Sequence, residues 1–166
     1  MEKYILSVVV ENNAGVLARI SSLFGRRGFN IESLTVSPTT DPAISRITIV
    51  VTGDEYILGQ IIKQVNKLEE TIKIVHLDEK RSYCKELVFA KLCAQDKMTA
   101  DRIREVCEVY GARIDDVDEE GRIIVVELTD IPSRIDGFLN VISNFEVVET
   151  CRTGVTALEK GDTRKQ

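Results

Sequence analysis

The residues with the clearest chemical potential lie where a strand-like run gives way to a helix-like run. The stretch Asn12–Leu17 reads NNAGVL and puts asparagines and Gly15 at the predicted start of a helix. Asparagine is a favoured N-cap residue, whereas glycine in a first helical turn costs about 0.5–1 kcal/mol relative to alanine. A helix N-terminus offers unpaired N–H groups to a carboxylate, and a glycine lets a small ligand lie against the backbone. The stretch is therefore a candidate binding site.

Asn30, just beyond the same helix, is a second candidate. An asparagine amide accepts a hydrogen bond from an ammonium group and donates one to a carboxylate. Asn12, Gly15 and Asn30 would together suit a zwitterionic amino acid better than a larger phosphate ester. Two structural interpretations stay open, in which Asn12 or Asn13 is only an N-cap and Asn30 is only a turn residue.

Residues for metal binding or catalysis are sparse. The only histidine, His76, lies in the strand-like run IKIVHL, and the four cysteines form no CxxC pair. Their spacing matches neither zinc nor iron–sulfur sites. Cys93 and Cys107 sit in apolar patterns that indicate buried structural thiols. We therefore expect no metal site and no catalytic residue.

The composition narrows the class of protein. The net charge is −5, the sequence pI is about 5.1 and tryptophan is absent, which argues against a nucleic-acid-binding surface. The hydrophobic fraction is 43%, yet no apolar run approaches the roughly 18 residues of a membrane span. The opening MEKYILSVVVEN resembles neither a signal peptide nor a transit peptide. We expect a cytoplasmic protein without membrane contact.

The elements that position these residues follow from hydrophobic periodicity. Residues 1–78 alternate between strand-like and helix-like patterns in the order βαββαβ. The polar stretch 79–86 is the predicted linker, 87–158 repeats the pattern, and 159–166 is a polar tail. Gly28 and Gly111 mark the ends of matching helices at an offset of 83 residues, and the offset falls to 76 after a seven-residue gap in the second copy. The predicted fold class is α+β, with two ferredoxin-like units.

The second copy serves as an internal control. Met98 stands at the position that matches Gly15. If the second copy builds the same helix without glycine, the fold does not require it, and Gly15 serves a function of the first copy alone. A sheet with helices on one face also needs a cover for its other face and edges, so oligomerisation is expected.

Several motifs carry a family resemblance. Asn12–Leu17 resembles the D/N-x-x-G-x-L signature of ACT domains, which are small-molecule regulatory modules of βαββαβ topology. The runs FNIESLTV, DP..SR.TI and R-x-G-V-x-A-L-x-x-GD make the chain, from Tyr4 to Asp162, similar to the small regulatory subunits of acetolactate synthase (acetohydroxyacid synthase).

This resemblance implies a non-catalytic homodimer that binds the large catalytic subunit, activates it and makes it sensitive to valine. Thiamine diphosphate, magnesium and FAD are then expected in the catalytic subunit, with no cofactor in this chain. The N-terminal unit would be the ACT domain. The implied effector contacts are Asn12, Ala14, Gly15, Val16, Leu17, Asn30 and Ile31.

The topology also predicts how the site is assembled. Asn12 follows the first strand and Asn30 precedes the second, at opposite ends of the sheet and on the order of 20 Å apart. One valine cannot span that distance, so we expect a two-fold dimer to bring Asn12 of one chain beside Asn30 of the other.

Three other classes of protein share parts of this pattern. An RNA-recognition module shares the topology but needs aromatic residues on its central strands and a basic surface, which this sequence lacks. An independent ferredoxin-like enzyme needs a cluster of reactive side chains. An ACT-domain amino-acid sensor that acts on another partner or has another branched-chain effector stays open. One methylene distinguishes such effectors and changes binding by only about 1–3 kcal/mol.

Overall fold

The computed structural model describes residues 2–161 and divides the chain into two compact units. The first unit extends to Cys84 and takes up the chain again from Val155, and the second unit is Lys85–Gly154. Within residues 2–161, no helix is both long enough and apolar enough to cross a membrane.

The first unit has the predicted order of elements. They are β1 (Glu2–Glu11), α1 (Val16–Arg26), β2 (Ile31–Pro38), β3 (Ile44–Gly53), α2 (Glu55–Val65) and β4 (Thr71–Leu77). The strands lie in the order β2-β3-β1-β4, and each neighbouring pair is antiparallel. Because β1 and β2 both pair antiparallel with β3, they run parallel to each other, as a βαββαβ unit requires.

The core of the first unit lies between the sheet and its two helices. Alternate residues of the central strands meet helix residues that recur every three to four positions, which are the side-chain periods of strands and helices. Its fully buried members include Leu6, Val8, Ile20, Phe24, Ile47, Ile49 and Ile61.

The second unit repeats this architecture. Its elements are β5 (Ser82–Cys93), which begins in the first unit, α3 (Lys97–Tyr110), β6 (Arg113–Val117), β7 (Ile123–Asp130), α4 (Pro132–Ile142) and β8 (Glu146–Arg152). The strand order β6-β7-β5-β8 matches that of the first sheet. The predicted pair of ferredoxin-like units is confirmed.

The matching glycines end their helices by the same hydrogen bonds. Gly28 and Gly111 have φ of 70° and 71°, in the left-handed region that glycine enters without steric cost. The N–H of Phe29 donates to the Phe24 carbonyl at 3.0 Å, and the N–H of Ala112 donates to the Cys107 carbonyl at 2.8 Å. Both are the long bond of a Schellman motif, so the predicted C-caps are confirmed.

The structure differs from the predicted domain boundaries on both sides of the second unit. The predicted linker, residues 79–86, has regular structure throughout. Glu79–Arg81 form a short 3-10 helix, and residues 82–86 are the first part of β5. The C-terminal segment, predicted to belong to 87–158, instead belongs with the first unit from Val155 onward and forms β9 (Thr156–Glu159). The predicted polar tail starts inside β9, and its residues 162–166 lie outside the described part of the chain.

An apolar cluster explains why the C-terminal segment joins the first unit. Val155 and Ala157 are 4% and 3% exposed and pack with Ile5 and Leu77 of the first sheet. The hydroxyl of Thr35 donates to the Val155 carbonyl at 2.8 Å. The sheet face that lacks helices thus receives part of its cover from the chain itself.

We expect Val155→Ala to destabilise the first unit by about 2 kcal/mol, because about two buried methylene equivalents are lost and a cavity remains. Amide hydrogen exchange resolves the two units, which a single unfolding transition does not. Slowly exchanging amides of β1 and β3 should lose roughly 30-fold in protection. Leu158→Ala, in the same strand but 57% exposed, is the matched control. Equal effects of the two substitutions would contradict the covering role.

Candidate functional site

A glycine turn leads into α1. Gly15 has φ 87° and ψ −9°, and the Val16 N–H donates to the Asn13 carbonyl at 3.3 Å. These angles fit the third residue of a type II turn, which requires a positive φ. The Gly15 carbonyl accepts from the Arg19 N–H at 2.9 Å, so Gly15 is the N-cap and not a residue of the first turn.

The asparagines do not cap the helix, contrary to one of the two interpretations. The Asn12 Nδ2 donates to the Pro42 carbonyl at 2.9 Å, and the Asn13 Nδ2 donates to the Glu11 carboxylate at 2.8 Å. In the described part of the chain, no side chain caps α1. Both amides are used to hold the loop that carries Gly15.

The second copy enters its helix by another route. Asp96, which matches Asn13, accepts from the Thr99 N–H at 2.7 Å, and this bond lowers the pKa of the Asp96 carboxyl. As a result α3 begins at Lys97, two positions earlier than α1 in the aligned copies. The second copy therefore does not test whether the fold requires Gly15. The glycine is needed for this turn, and the second copy has no such turn.

The consequence of the turn is an open helix start. Within residues 2–161, the N–H groups of Leu17 and Ala18 have no hydrogen-bond acceptor, and the Asn12 side-chain oxygen has no donor. A Cβ built at Gly15 would meet no atom within 4 Å. Val16 is buried beneath the turn and Leu17 is 40% exposed beside it. Two aligned donors at the positive end of a helix make an anion site.

The remaining predicted site residues lie elsewhere in the chain. Ile31 pairs with Val51, and Val51 pairs with Tyr4 at the start of β1. Glu11, next to Asn12, lies seven residues farther along the same strand, about 23 Å away at roughly 3.3 Å per residue. One chain therefore brings together Asn12, Ala14, Gly15, Val16 and Leu17 but not Asn30 and Ile31.

Sequence reasoning missed two contributors to this site. The Pro42 and Ala43 carbonyls bind the side chain and the backbone N–H of Asn12, the second at 2.7 Å. They lie in the hairpin loop between β2 and β3, and the second copy has a counterpart of the second contact, in which the Arg122 carbonyl accepts from the Ala94 N–H at 2.7 Å. The gap between the two copies was therefore no signal for this contact, because both copies keep the loop that makes it.

Metal binding has no support in the described residues. From Glu2 to Gly161, no three or more histidine, cysteine, aspartate or glutamate side chains group so as to hold a metal ion. The thiols are free, and burial raises the pKa of both Cys84 and Cys107. A raised thiol pKa means less thiolate and a less reactive group.

The topology and the glycine turn define an ACT-type domain, and comparison with known proteins agrees. Residues 6–73 match the family model described as the AHAS small subunit-like ACT domain. Residues 85–161 match the model described as the small subunit of acetolactate synthase. The two models together span most of the chain.

Relatives that align with nearly the whole chain agree with both family models. The probable acetolactate synthase small subunit of Methanothermobacter thermautotrophicus is 39% identical over 96% of this chain and 94% of its own. The isozyme 3 small subunit of Escherichia coli is 38% identical over 95% and 96%. The crystal structure of the small subunit from Thermotoga maritima superposes with a TM-score of 0.88 at 31% identity, covering 98% of this chain and all of that one. The chain belongs to the acetolactate synthase small-subunit family.

We expect Gly15→Ala to lower the free energy of unfolding by about 1–2 kcal/mol. The added Cβ has open space, but alanine is strained in the left-handed backbone conformation. Gly25→Ala is the matched control, since it lies in α1, also has open space and has no positive φ. The Gly25→Ala protein should be more stable than wild type by roughly 0.5–1 kcal/mol. Hydrogen exchange of α1 amides measures both. A Gly15→Ala protein as stable as wild type would show that the turn does not need glycine.

Proposed function

We propose that this chain is the non-catalytic regulatory subunit of an acetolactate synthase in branched-chain amino acid biosynthesis. It binds the large catalytic subunit, raises its activity and confers feedback inhibition by valine. Thiamine diphosphate, magnesium and FAD belong to the catalytic subunit, and the complex works in the cytoplasm. The observation that carries the proposal is the open start of α1, with two free N–H donors, in a chain of this family.

The effector is bound through its charged groups. Its carboxylate accepts from the N–H groups of Leu17 and Ala18, where the dipole of α1 favours negative charge. Its ammonium donates to the Asn12 side-chain oxygen, because the Nδ2 of that amide is already directed to Pro42. Gly15 leaves room for the ligand to approach the backbone, and the exposed Leu17 side chain offers apolar contact.

The second half of the site comes from a partner subunit. Among the described strands, β2 pairs on one side only, with β3, so its other edge can pair with β2 of a second copy. A two-fold axis near the middle of β2 places Ile31 of the partner subunit beside Pro38. Pro38 pairs with Ser45, and Ser45 pairs with Val10 near Asn12. Asn30 of the partner subunit then faces the glycine turn, and the dimer has two equivalent sites.

Mixed dimers test this arrangement. Asn12→Ala in one chain and Asn30→Ala in the other, co-purified with two affinity tags, should leave one intact site and one doubly damaged site. Each substitution removes a charge-assisted hydrogen bond, so a damaged site should bind valine at least tenfold more weakly. Calorimetry should therefore find one tight valine per mixed dimer and two per wild-type dimer.

The number of tight sites in the mixed dimer distinguishes a site shared between two chains from a site within one chain. If both asparagines serve a site within one chain, the mixed dimer has two singly damaged sites and no tight one. Asn13→Ala is the control, because its amide bonds only to Glu11 in the same loop and is not assigned to the ligand. Leucine and isoleucine titrated in the same way identify the preferred effector.

A further inference from the structure

The second unit contains a cleft of about 610 Å³ between α3 and the turn from α4 into β8. Clefts of 300–1,000 Å³ are the usual size of small-molecule sites. Half-buried apolar side chains form its floor, namely those of Cys93, Val106, Val141 and Phe145. The floor can therefore accept a large apolar group.

The rim of the cleft carries charges of both signs. Arg102 and Glu105 stand one helical turn apart on α3, and neither has an ion-pair or hydrogen-bond partner among the described residues. Glu146 lies across the cleft and accepts from the Gln95 Nε2 at 3.2 Å. A carboxylate has several acceptor positions, so Glu146 can accept a further donor.

The first unit shows what is unusual about this rim. By the offsets of 83 and 76, Arg102 matches Arg19 and Glu146 matches Glu70. Arg19 and Glu70 form an ion pair, and Glu70 is only 9% exposed. The corresponding pair is not made in the second unit, so its guanidinium is available to a carboxylate from outside the chain.

We propose that this cleft binds a free α-amino acid with a large apolar side chain. The ligand's carboxylate pairs with the Arg102 guanidinium, which can bind it through two parallel hydrogen bonds. Its ammonium donates to Glu105 and Glu146, and its side chain packs on Val106 and Phe145. This site is separate from the glycine turn of the first unit and does not depend on the function proposed for it.

Methyl-resolved NMR of the full chain tests the proposal with leucine and phenylalanine as probes. Saturable shifts of the Val106 and Val141 methyl signals report the cleft, whereas shifts of Leu17 methyls report the first unit. Arg102→Met should weaken the cleft titration at least tenfold, and so should replacing leucine by leucine amide, which lacks the carboxylate. Arg104→Met is the matched control, since Arg104 lies on α3, pairs with Asp101 and does not line this cleft.

Two results would overturn the site. The first is an absence of shifts at Val106 and Val141 with either amino acid at millimolar concentration, whatever happens at Leu17. The second is an equal weakening by Arg102→Met and Arg104→Met. Different methyl groups report on the two units. A negative result at the cleft therefore does not bear on the glycine turn, and a negative result at the glycine turn does not bear on the cleft.

Discussion

The structure depends on one constraint, which is that a sheet covered by helices on one face must find cover for its other face and its edges. In the first unit Val155 and Ala157 supply part of the missing face, in contact with Ile5 and Leu77. The C-terminal segment is thereby tied to β2 through Thr35. The uncovered edge of β2 is the place where a second copy can add its own strand.

The two copies of the βαββαβ pattern show how one fold supports different chemistry. In the second copy the Asp96 carboxylate binds the Thr99 N–H, so the protein itself occupies the anion position at the start of α3. In the first copy the Gly15 turn leaves the corresponding end of α1 open. The reverse holds for the matching arginines. Arg19 of the first unit pairs with Glu70, whereas Arg102, at the cleft of the second unit, has no such pair. Each unit thus keeps a different set of polar groups available to a ligand.

Hydrophobic periodicity predicted the repeat, the order of the elements and the separation of Asn12 from Asn30, because these depend on local spacing and on a helix that connects two parallel strands. The C-caps were predictable since Gly28 and Gly111 recur at the same place. The return of β9 to the first unit was not, because a four-residue strand carries no local signal of its partner. The Gly15 conformation was also missed, since a glycine in sequence does not reveal the sign of φ, and the two copies were assumed to start their helices alike.

The central claim is that free backbone donors at the start of α1 bind the effector's carboxylate. Amide NMR of the ¹⁵N-labelled chain titrated with valine measures this directly. We expect saturable downfield shifts of the Leu17 and Ala18 N–H signals. The Ile57 N–H, which is already bound by the Asp54 carboxylate at 2.8 Å, should stay unchanged. Valine binding that leaves Leu17 and Ala18 unshifted would contradict the account.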